Sequence, residues 1–246
     1  MKKMFMAVIA LMMTISASAQ FYIYCNDGNV IKVDSISMVA PDADESNTGK
    51  TNIENGYEYV DLGLSVKWAT YNVGAKCPED CGDYFAWGET EPKEYYDWST
   101  YKWCNGSKTT MTKYCINSEY GTIDNKKELE LSDDAAYANW GGNWRMPTTK
   151  EQDELREQCI WTWTTLNEVN GYNVTSKSNG NSIFLPAAGS LAEGGLEEAG
   201  IGFIGDYWSS SLGLSHIAYG LFFVSDDVRR NNYYRYLGKP IRPVCP

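Results

Sequence analysis

Short runs rich in aromatic and β-branched residues, punctuated by Gly, Asn and Asp, dominate this chain and predict antiparallel strands more often than helices. Phe21-Tyr22-Ile23-Tyr24 and Val30-Ile31-Lys32-Val33 flank Asn26-Asp27-Gly28-Asn29, where Asp-Gly supplies the positive φ of a tight turn. Residues 20–40 therefore read as a β-hairpin. Residues 41–55 are polar and acidic and read as a linker. From residue 56 the pattern is that of one domain. Residues 57–62 and 66–70 suggest strands with Gly63 at the turn, and Tyr84-Phe85-Ala86-Trp87-Gly88 continues the theme. Residues 89–131 are irregular, with Trp98, Tyr101, Trp103 and Tyr114 set among polar residues, and Ser132 is placed to cap a short helix through Ala138.

The clearest helix begins after Pro147. Thr148 with Glu151 three residues on forms a capping box, and Leu155 and Cys159 lie four apart on one face. Beyond it Trp161-Thr162-Trp163-Thr164 alternates at period two. The turn signals Asn170-Gly171 and Asn179-Gly180 bound a strand over residues 172–176, and residues 183–189 read as a buried strand bent by Pro186. A glycine-rich loop over residues 194–205 leads into the final forty residues. There, residues 207–211 and 218–224 are strands, Ser225-Asp226-Asp227 a turn, residues 229–236 a polar and aromatic return, and residues 241–245 a last strand. This tail is expected to fold back beside the helix that starts at Thr148, leaving its tyrosines and arginines in solvent. No repeat period is present.

The first residues change the picture. Lys2 and Lys3, an apolar run over residues 4–15 and Ala17-Ser18-Ala19 match a secretory signal, so residues 1–19 are expected to be removed and the chain exported. No run reaches the roughly 18 apolar residues of a spanning helix. The formal charge of −11 argues against nucleic acid, whose phosphates need clustered Lys and Arg. Seven cysteines in an exported chain suggest disulfides: Cys104 with Cys115, Cys159 with Cys245 and Cys77 with Cys81, with no partner assigned to Cys25. A zinc site is disfavoured, since there is one histidine and no second closely spaced cysteine pair, and no metal or cofactor is expected.

Six segments in fixed order carry a resemblance: Tyr59-Val60-Asp61-Leu62-Gly63-Leu64, Tyr84-Phe85-Ala86-Trp87-Gly88-Glu89, Trp144-Arg145-Met146-Pro147-Thr148, Ile183-Phe184-Leu185-Pro186-Ala187-Ala188-Gly189, Tyr207-Trp208-Ser209-Ser210-Ser211 and Ile241-Arg242-Pro243-Val244. Together they resemble the Fibrobacter succinogenes major paralogous domain, a family of exported bacterial domains related to the Lcl C-terminal domain. The resemblance covers roughly residues 57–246. It implies an α+β, C-type-lectin-like domain of mostly antiparallel strands with one or two helices and long loops, a scaffold whose C-terminal strands and loops hold ligands. The family brings no catalytic residues to transfer. Glu91-Pro92-Lys93 departs from the calcium motif of sugar-binding lectins, with Lys where an amide oxygen would coordinate. The N-terminal hairpin is similar to a segment common in exported Bacteroidetes proteins.

Among candidate sites, His216 is the one histidine that a Ser-His or Cys-His hydrolase would have to use, and its Gly213-Leu214-Ser215 context reads as a surface loop rather than a catalytic site. Close carboxylates such as Glu89 with Glu91 read as solvated loop residues. Trp68, Trp87, Trp144 and Trp208 read as core, and Arg242 as a structural contact. The binding surface is expected from the loop over residues 212–216 and the hairpin over residues 226–236. Its residues are His216, Asp226, Asp227, Arg229, Arg230, Asn231, Asn232, Tyr233, Tyr234 and Tyr236, because Tyr, Asn and Arg combine rigid contact area with adaptable hydrogen bonds. The expected function is an exported, non-enzymatic binding or adhesion module for a glycan or protein ligand at the cell surface. The alternative is a structural or accessory subunit of a surface assembly, joined through strand addition by the N-terminal hairpin.

Overall fold

The computed structural model describes residues 21–24, 30–33, 52–192 and 200–246. The chain divides into two compact units, Met1–Gly49 and Lys50–Pro246. In the first, β1 (Phe21–Tyr24) pairs antiparallel with β2 (Val30–Val33), Phe21 opposite Val33 and Tyr24 opposite Val30. The predicted leader, the turn between these strands with Cys25, and residues 41–51 of the predicted linker lie outside the described residues. The end of that linker is not linker. Ile53–Glu54 is a strand, β3, paired with β4 (Tyr57–Val60), and the indole of Trp144 donates to the Glu54 carbonyl at 2.7 Å.

The second unit is α+β, mostly antiparallel strands with two helices. One sheet runs β12-β5-β4-β3, where β5 is Lys67–Ala69 and β12 is Val244–Cys245. A second contains β6 (Cys159–Leu166), β7 (Val169–Ser176) and β8 (Ser182–Pro186) in that order. The third has the order β11-β10-β9, from β9 (Gly205–Leu214), β10 (Ile217–Val224) and β11 (Asp227–Tyr234). The helices are α1 (Ala135–Trp140) and α2 (Thr149–Gln158).

Local chemistry explains where elements begin. The capping box on α2 is formed in both directions: the Glu151 amide donates to the Thr148 hydroxyl and the Thr148 amide to the Glu151 carboxylate. α1 starts later than expected because Asp134, not Ser132, caps it, accepting from the amides of Tyr137 at 3.1 Å and Met146 at 2.8 Å. The β6–β7 turn is Asn167-Glu168, both at positive φ, not Asn170-Gly171. Gly171 sits inside β7, where an added Cβ would strike the carbonyl oxygen of Leu185 on the neighbouring strand. Residues 84–88 form only an isolated bridge, Phe85 with Lys239.

Trp87, Trp144 and Trp208 fill one buried cluster, Trp68 a second with Leu155 and Phe223, and Tyr96, Tyr101 and Met111 a third under the irregular segment. The expected disulfides are not formed: Cys77, Cys104, Cys115, Cys159 and Cys245 are free thiols. Cys159 and Cys245 belong to different core clusters. The Cys104 and Cys115 thiols instead donate to the carbonyls of Trp98 and Asn117, each at 3.2 Å. What closes the domain is backbone pairing, with Val244 opposite Trp68 on β5 and bridged to Arg145 on its other side.

Candidate functional site

β11 is the edge strand of its sheet, paired on one side only among the described residues. Strand alternation divides the predicted binding residues: Arg229, Asn231 and Tyr233 point to one face, and Arg230, Asn232 and Tyr234 to the other. Ten residues read from the sequence as one surface are therefore not one surface. Asp226 and Asp227 lie at the β10–β11 turn, the far end of the hairpin from Tyr234. Arg229 pairs with Asp227 and covers the Phe222 ring at 4.5 Å. Arg230 lies 3.2 Å from Asp153 on α2 and over the Tyr219 ring at 5.3 Å, which docks the hairpin beside that helix.

Tyr233 is half-buried. Its hydroxyl donates to Asp206 and accepts from the Asn231 amide at 3.1 Å, and its ring meets Trp208 edge-on at 6.0 Å. Burial, reinforced by the Asp206 charge, drives its phenol well above the ordinary range. Tyr234, by contrast, is 42% exposed.

Two predicted site residues are interior. Tyr236, 8% exposed, packs in the third core cluster because the chain turns inward after β11. His216, also 8% exposed, belongs to a buried turn and not to a surface loop. In the rest of that predicted loop, Leu212 and Ser215 are buried and Leu214 is exposed. The inward turn is fixed by Arg235, fully buried, whose guanidinium donates to the Ser215 carbonyl at 2.6 Å, to those of Tyr114 and Lys113, and to the Tyr101 hydroxyl at 2.8 Å. Arg242 is likewise internal, donating to Asn72 and to the carbonyls of Ala69 and Thr70.

At the Tyr234 end of the hairpin the aromatic rings form a continuous run. Tyr120 stacks on His216 at 4.3 Å, His216 lies 6.0 Å from Tyr234, Tyr234 stacks on Tyr236 at 5.8 Å, and Trp98 meets both tyrosines edge-on. Beside this run is a cavity of about 310 Å³ lined by His216, Ile217, Asn232, Tyr233, Tyr234 and Leu237. Ile217 and Leu237 give this lining its apolar part, and Asn232 adds an exposed amide. The His216 Nδ1 is enclosed without a hydrogen-bond partner. Burial, with Lys108 and Arg235 nearby, holds its pKa below the usual imidazole value and favours the neutral ring. The neighbouring Ser215 hydroxyl accepts from the amides of Ile116 and Asn117 and is not aimed at the imidazole as a nucleophile would be.

No protein-family model, curated protein or solved structure matches the chain. Among the described residues, no group of three or more His, Cys, Asp or Glu is arranged to hold a metal ion, and no helix is long and apolar enough to cross a membrane. Trp98, Tyr120, Ile217 and Leu237 are the contributors that sequence reasoning missed. Trp98 stood out as an aromatic in an irregular stretch, but nothing in linear sequence tied residues 89–131 to the C-terminal hairpin.

Proposed function

We propose that the protein is a non-enzymatic binding or adhesion module that engages its glycan or protein ligand on the aromatic shelf around Tyr234. The observation that carries this reading is an exposed tyrosine held flat by a buried stack and opening onto a cavity. Aromatic side chains immobilised in advance lose little entropy on contact, and Asn232 beside Tyr234 can adapt its hydrogen bonds to the ligand. Arg229 and Arg230, spent on Asp227 and Asp153, are peripheral to it. The C-type-lectin-like fold implied by the resemblance belongs to the same proposal. Antiparallel sheets with two helices, and a last strand returning to β5, support it. Export rests on the leader pattern in residues 1–19.

A glycan and protein array probed with the purified chain tests this. Tyr234→Ala is expected to weaken binding on the order of tenfold or more, as truncation of an aromatic anchor does, with Asn232→Ala also weakened and Arg229→Ala unchanged. Binding that survives Tyr234→Ala and Asn232→Ala excludes the shelf. The second reading, a structural or accessory subunit of a surface assembly, is favoured by one feature: β1 and β2 pair only with each other among the described residues, leaving an edge on each for another strand. Binding lost on deleting residues 20–40 but kept in Tyr234→Ala selects it.

A further inference from the structure

Tyr233, whose ring lines the cavity, meets two buried side chains, Lys239 and Asp206, to which the proposed ligand contacts assign no role. Lys239 is fully buried, and its Nζ lies 2.7 Å from Oδ2 of Asp206, itself buried. A lysine ammonium carries three donors. Among the described residues Asp206 is the one hydrogen-bond acceptor of this Nζ, which otherwise faces the Tyr233 ring at 3.5 Å and the Trp208 ring at 5.5 Å. A buried ion pair so sparsely supported is costly as ions, and burial pushes the Lys239 ammonium towards the neutral amine. Oδ1 of the same carboxyl receives the Tyr233 hydroxyl proton in a hydrogen bond.

We propose that Lys239 and Asp206 are joined by an intramolecular isopeptide bond that the folded chain forms by itself. A proton passes from the Lys239 ammonium to the Asp206 carboxylate, leaving an amine beside a carboxylic acid. Nζ, 2.7 Å from Oδ2, attacks the adjoining Cγ and forms the C–N bond. Charge develops on Oδ1, where the Tyr233 O–H already points and stabilises it as an oxyanion-hole donor would. Oδ2 takes a proton from Nζ and leaves as water, and Oδ1 remains as the amide oxygen. No oxidant or co-reactant is required. The surrounding rings exclude the water that would favour the reverse reaction. The link joins residues 33 apart, tying the start of β9 to the segment ahead of β12 that bridges to Phe85. It supplies a covalent tie of the kind that the cysteine pairs were expected to supply, and stabilises by restricting the unfolded chain in the same manner.

Tryptic mapping of the purified, denatured and reduced full chain tests the bond. Pro240 and Pro243 protect Lys239 and Arg242 from cleavage, so Lys239 falls in residues 236–246 and Asp206 in residues 178–229. The expected product is a branched pair of these two peptides whose mass is their sum less one water, absent from Lys239→Met and from Asp206→Ala. Tyr233→Phe, which keeps the amine and carboxyl but removes the donor, is expected to slow formation on the order of a hundredfold, leaving freshly purified protein mostly unlinked. Recovery of both wild-type peptides linear and at full mass overturns the proposal without any variant having to fold. So does loss of water from the Asp206 peptide alone, the signature of a succinimide. An undiminished link in Tyr233→Phe overturns the role given to the tyrosine.

Discussion

Arg235 carries a permanent charge into the interior without an ion-pair partner among the described residues, and its acceptors explain why it stays there. Two backbone carbonyls accept from one guanidinium nitrogen, a third from the other, the Tyr101 hydroxyl from Nε, and the Trp87 ring lies 4.9 Å from the guanidinium carbon. Lysine cannot reproduce that planar fork. Arg235→Lys is expected to cost about 2–4 kcal/mol in urea denaturation, since several charge-assisted hydrogen bonds are lost or left unmade. His216 gives a pH dependence. Its folded-state pKa is depressed, so below about pH 6.5 the unfolded chain takes up a proton that the folded chain resists, and stability falls as pH drops through that range. Asp134 has the opposite sign. Burial pushes its carboxyl up to about 6, so its contribution is present below about pH 4 and is lost as pH rises towards 6. The His216 effect is therefore measured as a difference: urea midpoints of wild type and His216→Phe at pH 7.5 and pH 5 should converge or cross as the pH falls.

At the scale of elements, α2 shows how far a local signal reaches. Its capping box is legible in Thr148 and Glu151 alone, and the structure adds that Arg145 pairs with Glu151 at 2.5 Å while Gln152 donates to the Trp208 carbonyl of β9 at 3.0 Å. Thr148→Ala is expected to destabilise the protein by about 1 kcal/mol in the same denaturation assay, the usual value of an N-cap. The β6–β7 hairpin shows where a local signal misleads. Asn170-Gly171 is the stronger turn dipeptide, yet the turn falls at Asn167-Glu168, because β7 must pass close to β8 and only glycine at position 171 allows the approach. A glycine required by a neighbouring strand cannot be told in sequence from one required by a turn.

For the whole molecule, closure depends on the chain's last residues and not on sulfur. β12 lies between β5 and Arg145, and the cysteines that were expected to staple this arrangement, Cys159 and Cys245, lie in separate core clusters. Thiol labelling should therefore find Cys77 reactive in the native protein, while Cys104, Cys115, Cys159 and Cys245 react only after unfolding. Burial also raises the thiols of Cys159 and Cys245 to about 11, which suppresses the reactive thiolate. A native protein in which Cys159 and Cys245 resist alkylation even when denatured without reductant would restore the disulfide.

Period and punctuation in the sequence determined the strand-rich character of the domain, the cap of its main helix, the hairpin of β10 and β11 and the burial of four tryptophans, since each depends on neighbours within a few residues. Tertiary structure decided which side of that hairpin is wet, that Tyr236 and His216 lie inside while Tyr234 lies outside, and that Trp98 and Tyr120 come to meet them. It also set Lys239 against Asp206. These outcomes depend on segments far apart in the chain choosing one another by burial and hydrogen bonding, and linear spacing holds no record of that choice.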